Sequence, residues 1–71
     1  MNLEKYLYKS VNVTDIYGKT YSNYFVDLFS SAEEDGEANE DSIGLLTNEA
    51  SKFGTLLYAS EIKKIEEVNK R

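Results

Sequence analysis

The side chains able to do chemistry in this sequence are carboxylates, amines and hydroxyls. There are 13 Asp and Glu, 8 Lys and Arg and six Tyr, but no His and no Cys. Without His, the usual base near neutral pH and the commonest nitrogen ligand for metals are missing. Without Cys there is no thiolate nucleophile, no sulfur-built zinc site and no disulfide. Ser30 and Ser31 stand side by side, yet no imidazole is present to activate either hydroxyl. Asp15 and Asp27 are the carboxylates to weigh as an acid and base pair; both fall where turns and strand ends carry ordinary surface Asp. No catalytic constellation and no cofactor motif emerges, so a non-enzyme is expected.

The acids are unevenly spread. Glu33, Glu34, Asp35, Glu37, Glu40 and Asp41 follow one another with no base between them. The other 62 residues hold seven acids and eight bases, so the net charge of −5 sits almost wholly in this one segment. It also holds Gly36 and Asn39 and no β-branched residue, which reads as a solvated loop over residues 30–41. Hard divalent cations want several carboxylate oxygens, but Asp35-Gly36-Glu37 lacks the alternating ligands and closing Glu of a calcium loop, so no metal is expected. Docking of a basic protein partner is the functional alternative for these acids.

Six Tyr and three Phe, with no Trp, raise the question of a base-stacking platform. In 71 residues most aromatics are needed as core: Tyr21, Phe25 and Phe29 are expected inside, and Tyr6, Tyr8, Tyr17 and Tyr24 at the surface, where Tyr favours protein contacts. Lys63, Lys64, Lys70 and Arg71 make a basic end, interleaved with Glu61, Glu66 and Glu67. That mixture reads as a solvated surface rather than a phosphate-binding one. The residues expected to meet a partner are Tyr17, Tyr24, Glu33, Glu34, Asp35 and Glu37.

The positioning elements follow from spacing. Asn2 can cap a short helix in which Leu3 and Leu7 share a face. Val11 and Val13 alternate with polar residues, as a half-buried strand does. Asp15-Ile16-Tyr17-Gly18-Lys19 is a hairpin turn in which Gly18 takes positive φ. Residues 20–29, rich in Tyr, Phe, Val and Leu, form a long strand. Its apolar positions switch parity from Tyr21 and Phe25 to Val26 and Leu28, so it must bend or bulge. Residues 42–46 and 54–58 are short strands. After Ser60, the three-residue spacing of Ile62, Ile65 and Val68 allows a helix over 61–69, and a tight turn with a short strand fits equally well. Five sequential strands with one strongly bent member close into a small barrel, whereas a flat sheet would expose hydrophobic edges.

The run Val11-x-Val13-x-Asp15-x-x-Gly18-Lys19-x-Tyr21-x-x-x-Phe25-x-Asp27 resembles the opening strands of Sm-like (LSM) domains, in particular small bacterial ones. The end, Leu56-Leu57-Tyr58-x-Ser60-Glu61-Ile62-Lys63-Lys64-Ile65-Glu66, resembles the closing strands of small SH3-like barrels. The resemblance implies a tight turn and a last strand after Tyr58, a barrel, and ring assembly through strand edges. Sm domains that bind RNA carry Asp and Asn in the loop after the second strand and an Arg-Gly pair between the last two strands. Here Asp27 lies within the strand with Ser30 and Ser31 after it, and Tyr58-Ala59-Ser60 stands where Arg-Gly would be, so no RNA-binding residue is carried over.

The expected fold is therefore all-β: a small five-stranded SH3-like, Sm-like barrel over residues 1–71 with a short N-terminal helix. The expected function is a non-catalytic module that self-associates, as a homo-oligomer, or binds a protein partner; Sm-like RNA binding is the alternative, disfavoured by the acidity. A chain this small buries only about 60% of its unfolded surface and gains much from a shared interface. No run reaches the roughly 20 apolar residues of a membrane span, and Met1 to Tyr8 has no apolar core of signal-peptide length. Together with the lack of Cys, this makes the cytoplasm the expected compartment and a membrane partner unexpected.

Overall fold

The computed structural model describes residues 2–32, 40–48, 51 and 54–68. The chain opens with a 3-10 turn at Glu4–Tyr6, followed by β1 (Ser10–Asp15), β2 (Thr20–Ser30), β3 (Ser42–Leu46) and β4 (Gly54–Tyr58). A second 3-10 turn at Ala59–Glu61 leads into β5 (Ile62–Glu67). All five strands belong to one antiparallel sheet in the order β4-β3-β2-β1-β5. The helix that Ile62, Ile65 and Val68 allowed is not formed: Ile62 and Ile65 pair with Asp15 and Val13 of β1. The terminal helix shrinks to a single turn, where Asn2 Oδ1 accepts the Glu4 N–H at 3.2 Å and Leu3 is fully buried.

β2 serves two half-sheets. Residues 20–25 pair with β1 and residues 25–30 with β3. Two bulges let it do so. Between Val11 and Val13 of β1 the opposing step on β2 runs from Tyr24 to Tyr21, so β2 holds one extra residue. Asn23 absorbs it with φ 59°, and its N–H donates to Asn12 Oδ1 at 2.8 Å. Asn tolerates this left-handed conformation better than most residues. The second bulge lies between Val26 and Leu28, which oppose Leu45 and Gly44. There a Cβ on Gly44 would stand 2.9 Å from Asp27 Oδ1 and 3.2 Å from Leu28 Cβ, so the bulged strand comes closer than a side chain permits.

Each bulge shifts the inward parity by one. The inward set of β2 is thus Tyr21, Tyr24, Val26 and Phe29, joined by Leu3, Val11, Val13, Ile43, Leu45, Leu57 and Ile62. Each fully buried Leu, Ile or Val contributes about 1.5–3 kcal/mol by leaving water. The parity switch expected from the sequence is present, but its members differ. Phe25 and Leu28 lie on the opposite face, with Leu28 half exposed, while Tyr24 and Tyr6, expected outside, are half-buried against the core.

The expected barrel is not closed. β4 and β5 share no ladder, so both remain edges. The sheet nevertheless curls. In a flat sheet of this order β4 and β5 would lie about 19 Å apart, four spacings of ~4.8 Å. The chain crosses from Tyr58 to Ile62 through Ala59–Glu61 alone, and a 3-10 turn rises about 2 Å per residue, so the link spans only about 8 Å. Only curling brings the two edges within that reach. The exposed Lys9–Glu67 ion pair at 3.5 Å contributes less than about 1 kcal/mol, so β5 is held by its ladder and by Ile62 and Ile65. No helix among the described residues is long and apolar enough to cross a membrane.

The bulge at Asn23 gives a direct test. Asn23→Val is expected to lose about 1–2 kcal/mol, the cost of a left-handed conformation for a branched side chain. Asn23→Gly should stay within about 0.5 kcal/mol of wild type, because the bond to Asn12 uses the backbone N–H. Urea denaturation of both variants reads the difference.

Candidate functional site

Among the described residues the carboxylate with the most hydrogen bonds is Asp15, at the end of β1. It is buried, and both of its carboxylate oxygens accept hydrogen bonds. Oδ1 accepts the N–H groups of Tyr17 and Lys19, each at 2.9 Å, and Oδ2 accepts the Tyr21 hydroxyl at 3.1 Å. The backbone closes the same turn, with Asp15 N–H on Lys19 O and Gly18 N–H on Asp15 O; Gly18 takes the expected positive φ, at 89°. Lys19 Nζ sits 5.0 Å from the centre of the Tyr21 ring, completing the cluster. Burial alone pushes the Asp15 carboxyl up. The Lys19 and Tyr17 N–H groups, the Tyr21 hydroxyl and the Lys19 charge outweigh it, and the result lies below the ordinary 3.8. Burial, then the bond to Asp15, pushes the Tyr21 hydroxyl above its ordinary 10.0. Asp15 is therefore a turn-holding group whose two oxygens both accept hydrogen bonds from its own turn and from Tyr21, and Asp27 lies far along β2 from it.

Two of the acids of the 30–41 segment also hold structure. Asp41 Oδ1 accepts the Ala32 N–H at 3.0 Å, and Asp41 O accepts the Ala59 N–H. Glu40 takes both the N–H and the hydroxyl of Ser60. The base of the β2–β3 connection is thus fastened to the turn before β5. Glu33, Glu34, Asp35 and Glu37 lie outside the described residues. No group of three or more potential metal ligands occurs among the described residues.

Among the described residues Tyr17 is the most exposed aromatic, at 77%, beside the exposed Ile16. Tyr24 points the other way: its ring meets Tyr21 edge-on at 5.4 Å within the core. The two tyrosines expected to meet a partner do not share a surface.

A different apolar surface is built by register. Outward-facing residues line up as Leu28–Gly44–Leu56 and Phe25–Leu46–Gly54 across β2, β3 and β4, with Ser42–Tyr58 beyond. Leu28, Leu56 and Tyr58 are 49%, 47% and 38% exposed. The outward rows of β1 and β5 are polar by contrast, with Thr14 opposite Lys64 and Asn12 opposite Glu66.

The apolar rows run out to an open edge. Ala59 N–H reaches Asp41 of the β3 side, whereas Tyr58 N–H turns away from β3 to Glu61 Oε1 at 3.0 Å. Strand residues alternate, so Leu56 and Gly54 also aim their N–H and C=O away from β3. Among the described residues no hydrogen bond meets them. The two edges are not equivalent. β5 carries Lys63, Lys64, Glu66 and Glu67 and a register shift near Lys63, the usual guards against unwanted pairing. β4, Gly-Thr-Leu-Leu-Tyr, carries no charge. Sequence reasoning passed over this strand as a site, although its signal was present: five uncharged residues beside a Lys- and Glu-rich run.

Comparison with protein-family models, with curated proteins and with solved structures finds no match.

The Asp15 cluster sets a pH dependence. Its folded value is lowered, so its stabilisation is complete above the ordinary 3.8 and is lost as pH falls through the lower folded value. Tyr21, raised, holds its contribution below 10.0 and loses it as pH rises through the higher folded value. Asp15→Asn is expected to be less stable at neutral pH, since charge-assisted bonds are the stronger kind. It should also flatten the acid limb of the stability profile, measured by urea midpoints between about pH 6 and about pH 2.

Proposed function

We propose that this chain is a non-catalytic interaction module, an Sm-like, SH3-like barrel in its kinship, that associates by adding a strand to the edge of β4. The observation that carries the reading is the open N–H and C=O of Leu56 on an uncharged edge, continuous with the exposed side chains of Leu28, Leu56 and Tyr58. Main-chain bonds to such an edge supply affinity, and the alternate side chains on the outer face supply selectivity. Small soluble proteins blunt their edges because an open one recruits strands; here one edge is blunted and the other is not. The order β4-β3-β2-β1-β5, the bulged second strand and the tight turn before the last strand all support kinship with the Sm-like barrels. Burying the outer rows also offsets the small core of a 71-residue chain.

Amide hydrogen exchange tests this reading at one position. The Leu56 amide is expected to exchange freely in the isolated chain and to become protected when the protein associates. Leu56→Lys, which puts a charge on the edge and on the apolar row, should leave the fold intact and abolish association in light scattering. Association with Leu56 still exchanging freely would overturn the reading.

A further inference from the structure

We infer that the outer face of β2, β3 and β4 is a docking site for a protein segment carrying Lys or Arg between apolar side chains, with Asp27 as its anchor. The site uses side chains alone and stands whether or not a strand joins β4. Asp27 is the residue that the second bulge inserts between Val26 and Leu28. Gly44 faces outward, since Ile43 and Leu45 face the core. Asp27 Oδ1 stands 2.9 Å from where a Gly44 Cβ would be, so the bulge lays the carboxylate over the outer face. Leu28 leans over the same glycine from β2, and Leu56 stands opposite it on β4. Asp27 is exposed, and among the described residues no hydrogen bond or ion pair engages its carboxylate. It is an unpaired charge set into an apolar row.

That charge selects the partner. An apolar partner laid on Leu28 and Leu56 would bury the carboxylate without a counter-charge, which costs more than the apolar contact returns. A partner that brings a cation keeps the contact and pairs the carboxylate. Lys and Arg do both, since an aliphatic stem can lie along Leu28 and Leu56 while the head reaches Asp27. A second copy laid face to face fails: β2, β3 and β4 hold no Lys or Arg, so it would add a second Asp27 and no cation. Nucleic acid fails as well, because it brings phosphate to a chain of net charge −5. A sheet face has no walls to enclose a small molecule, whereas an extended segment matches its spacing. Laid along β3, residues i, i+2 and i+4 of the segment fall on the Ser42–Tyr58, Leu28–Gly44–Leu56 and Phe25–Leu46–Gly54 rows, about 7 Å apart. The pattern apolar-x-basic-x-apolar then sets its cation beside Asp27 and its apolar side chains against Tyr58 and Phe25.

The probe is the peptide acetyl-Leu-Thr-Lys-Thr-Leu-amide, with Gln in place of Lys in its uncharged twin. Titrated into the isotope-labelled chain and followed by NMR, it is expected to shift the Leu28 and Gly44 amides. The Lys peptide should bind about fivefold tighter than the Gln peptide, the upper range for an exposed ion pair. Asp27→Asn should erase that preference. Because the Asp27 carboxylate bonds to nothing among the described residues, the urea midpoint of this variant should match the wild type, which separates lost binding from lost folding. Glu66→Gln removes the same unit of charge from the polar outer row of β5 and should keep the preference. Equal loss in both variants, equal binding of the two peptides, or no binding at millimolar peptide overturns the docking site. The Leu56 amide separates this site from the edge reading: a peptide on the face leaves it exchanging freely, whereas a strand added to β4 protects it. Protection of Leu56 with Leu28 and Gly44 unmoved puts the peptide on the edge and overturns the face site.

Discussion

One strand must serve two half-sheets, and the fold depends on how it manages this. β2 has 11 residues and pairs β1 with its first half and β3 with its second. A regular strand of that length would keep one parity and hold the two half-sheets nearly in one plane. Two extra residues, at Asn23 and Asp27, change the parity twice and bend the strand twice. The consequence is one core fed from both halves: Tyr21 and Tyr24 opposite Val13 and Val11, then Val26 and Phe29 opposite Leu45 and Ile43. The Asp15 cluster fixes the entry to this strand, since its carboxylate holds the Tyr17 and Lys19 N–H groups and the Tyr21 hydroxyl together.

Bending without closure has its own consequence. A barrel removes its edges, whereas a curled open sheet keeps two. The 3-10 turn at Ala59–Glu61 brings them near one another, but the chain does not pair them. What separates the two is chemistry rather than topology. Lysine and glutamate cover β5, and Glu61 reaches back to occupy only the last N–H of β4. Among the described residues no hydrogen bond meets the other groups that β4 turns away from β3, and the side chains on its outer face extend the apolar row begun by Leu28.

Much of this was readable in the residues, and the part that was not has identifiable causes. Strand positions, the Gly18 turn and the need for a bulge followed from alternation and turn chemistry, which are local. Two bulges rather than one were not legible, because Asn23 looks like an ordinary polar strand residue until Asn12 is seen opposite it. That missing step moved Phe25 and Leu28 to the wrong face and left Tyr24 at the surface. The three-residue spacing of Ile62, Ile65 and Val68 fits a helix and a strand equally, and only pairing with β1 decides it. Barrel closure depends on distances between strands far apart in sequence, which no local pattern encodes. Among the expected contact residues, Tyr17 is exposed, Tyr24 is not, and Glu33, Glu34, Asp35 and Glu37 fall outside the described residues.

Size and edge are two sides of one constraint. A chain of 71 residues has little interior, and β3 shows how hard it is pressed: Ser42 through Leu46 are all buried, on both faces of a five-residue strand. Ile43 and Leu45 face the main core, so Ser42, Gly44 and Leu46 are covered from the other side, Gly44 by the close approach of Leu28. A second apolar layer has thus begun on the outer face and stops at Leu28, Leu56 and Tyr58, where side chains meet water. A strand laid along β4, as proposed above, would satisfy the Leu56 backbone and bury the row beside it in one step, so the surface proposed for recognition is the one at which this outer layer stops.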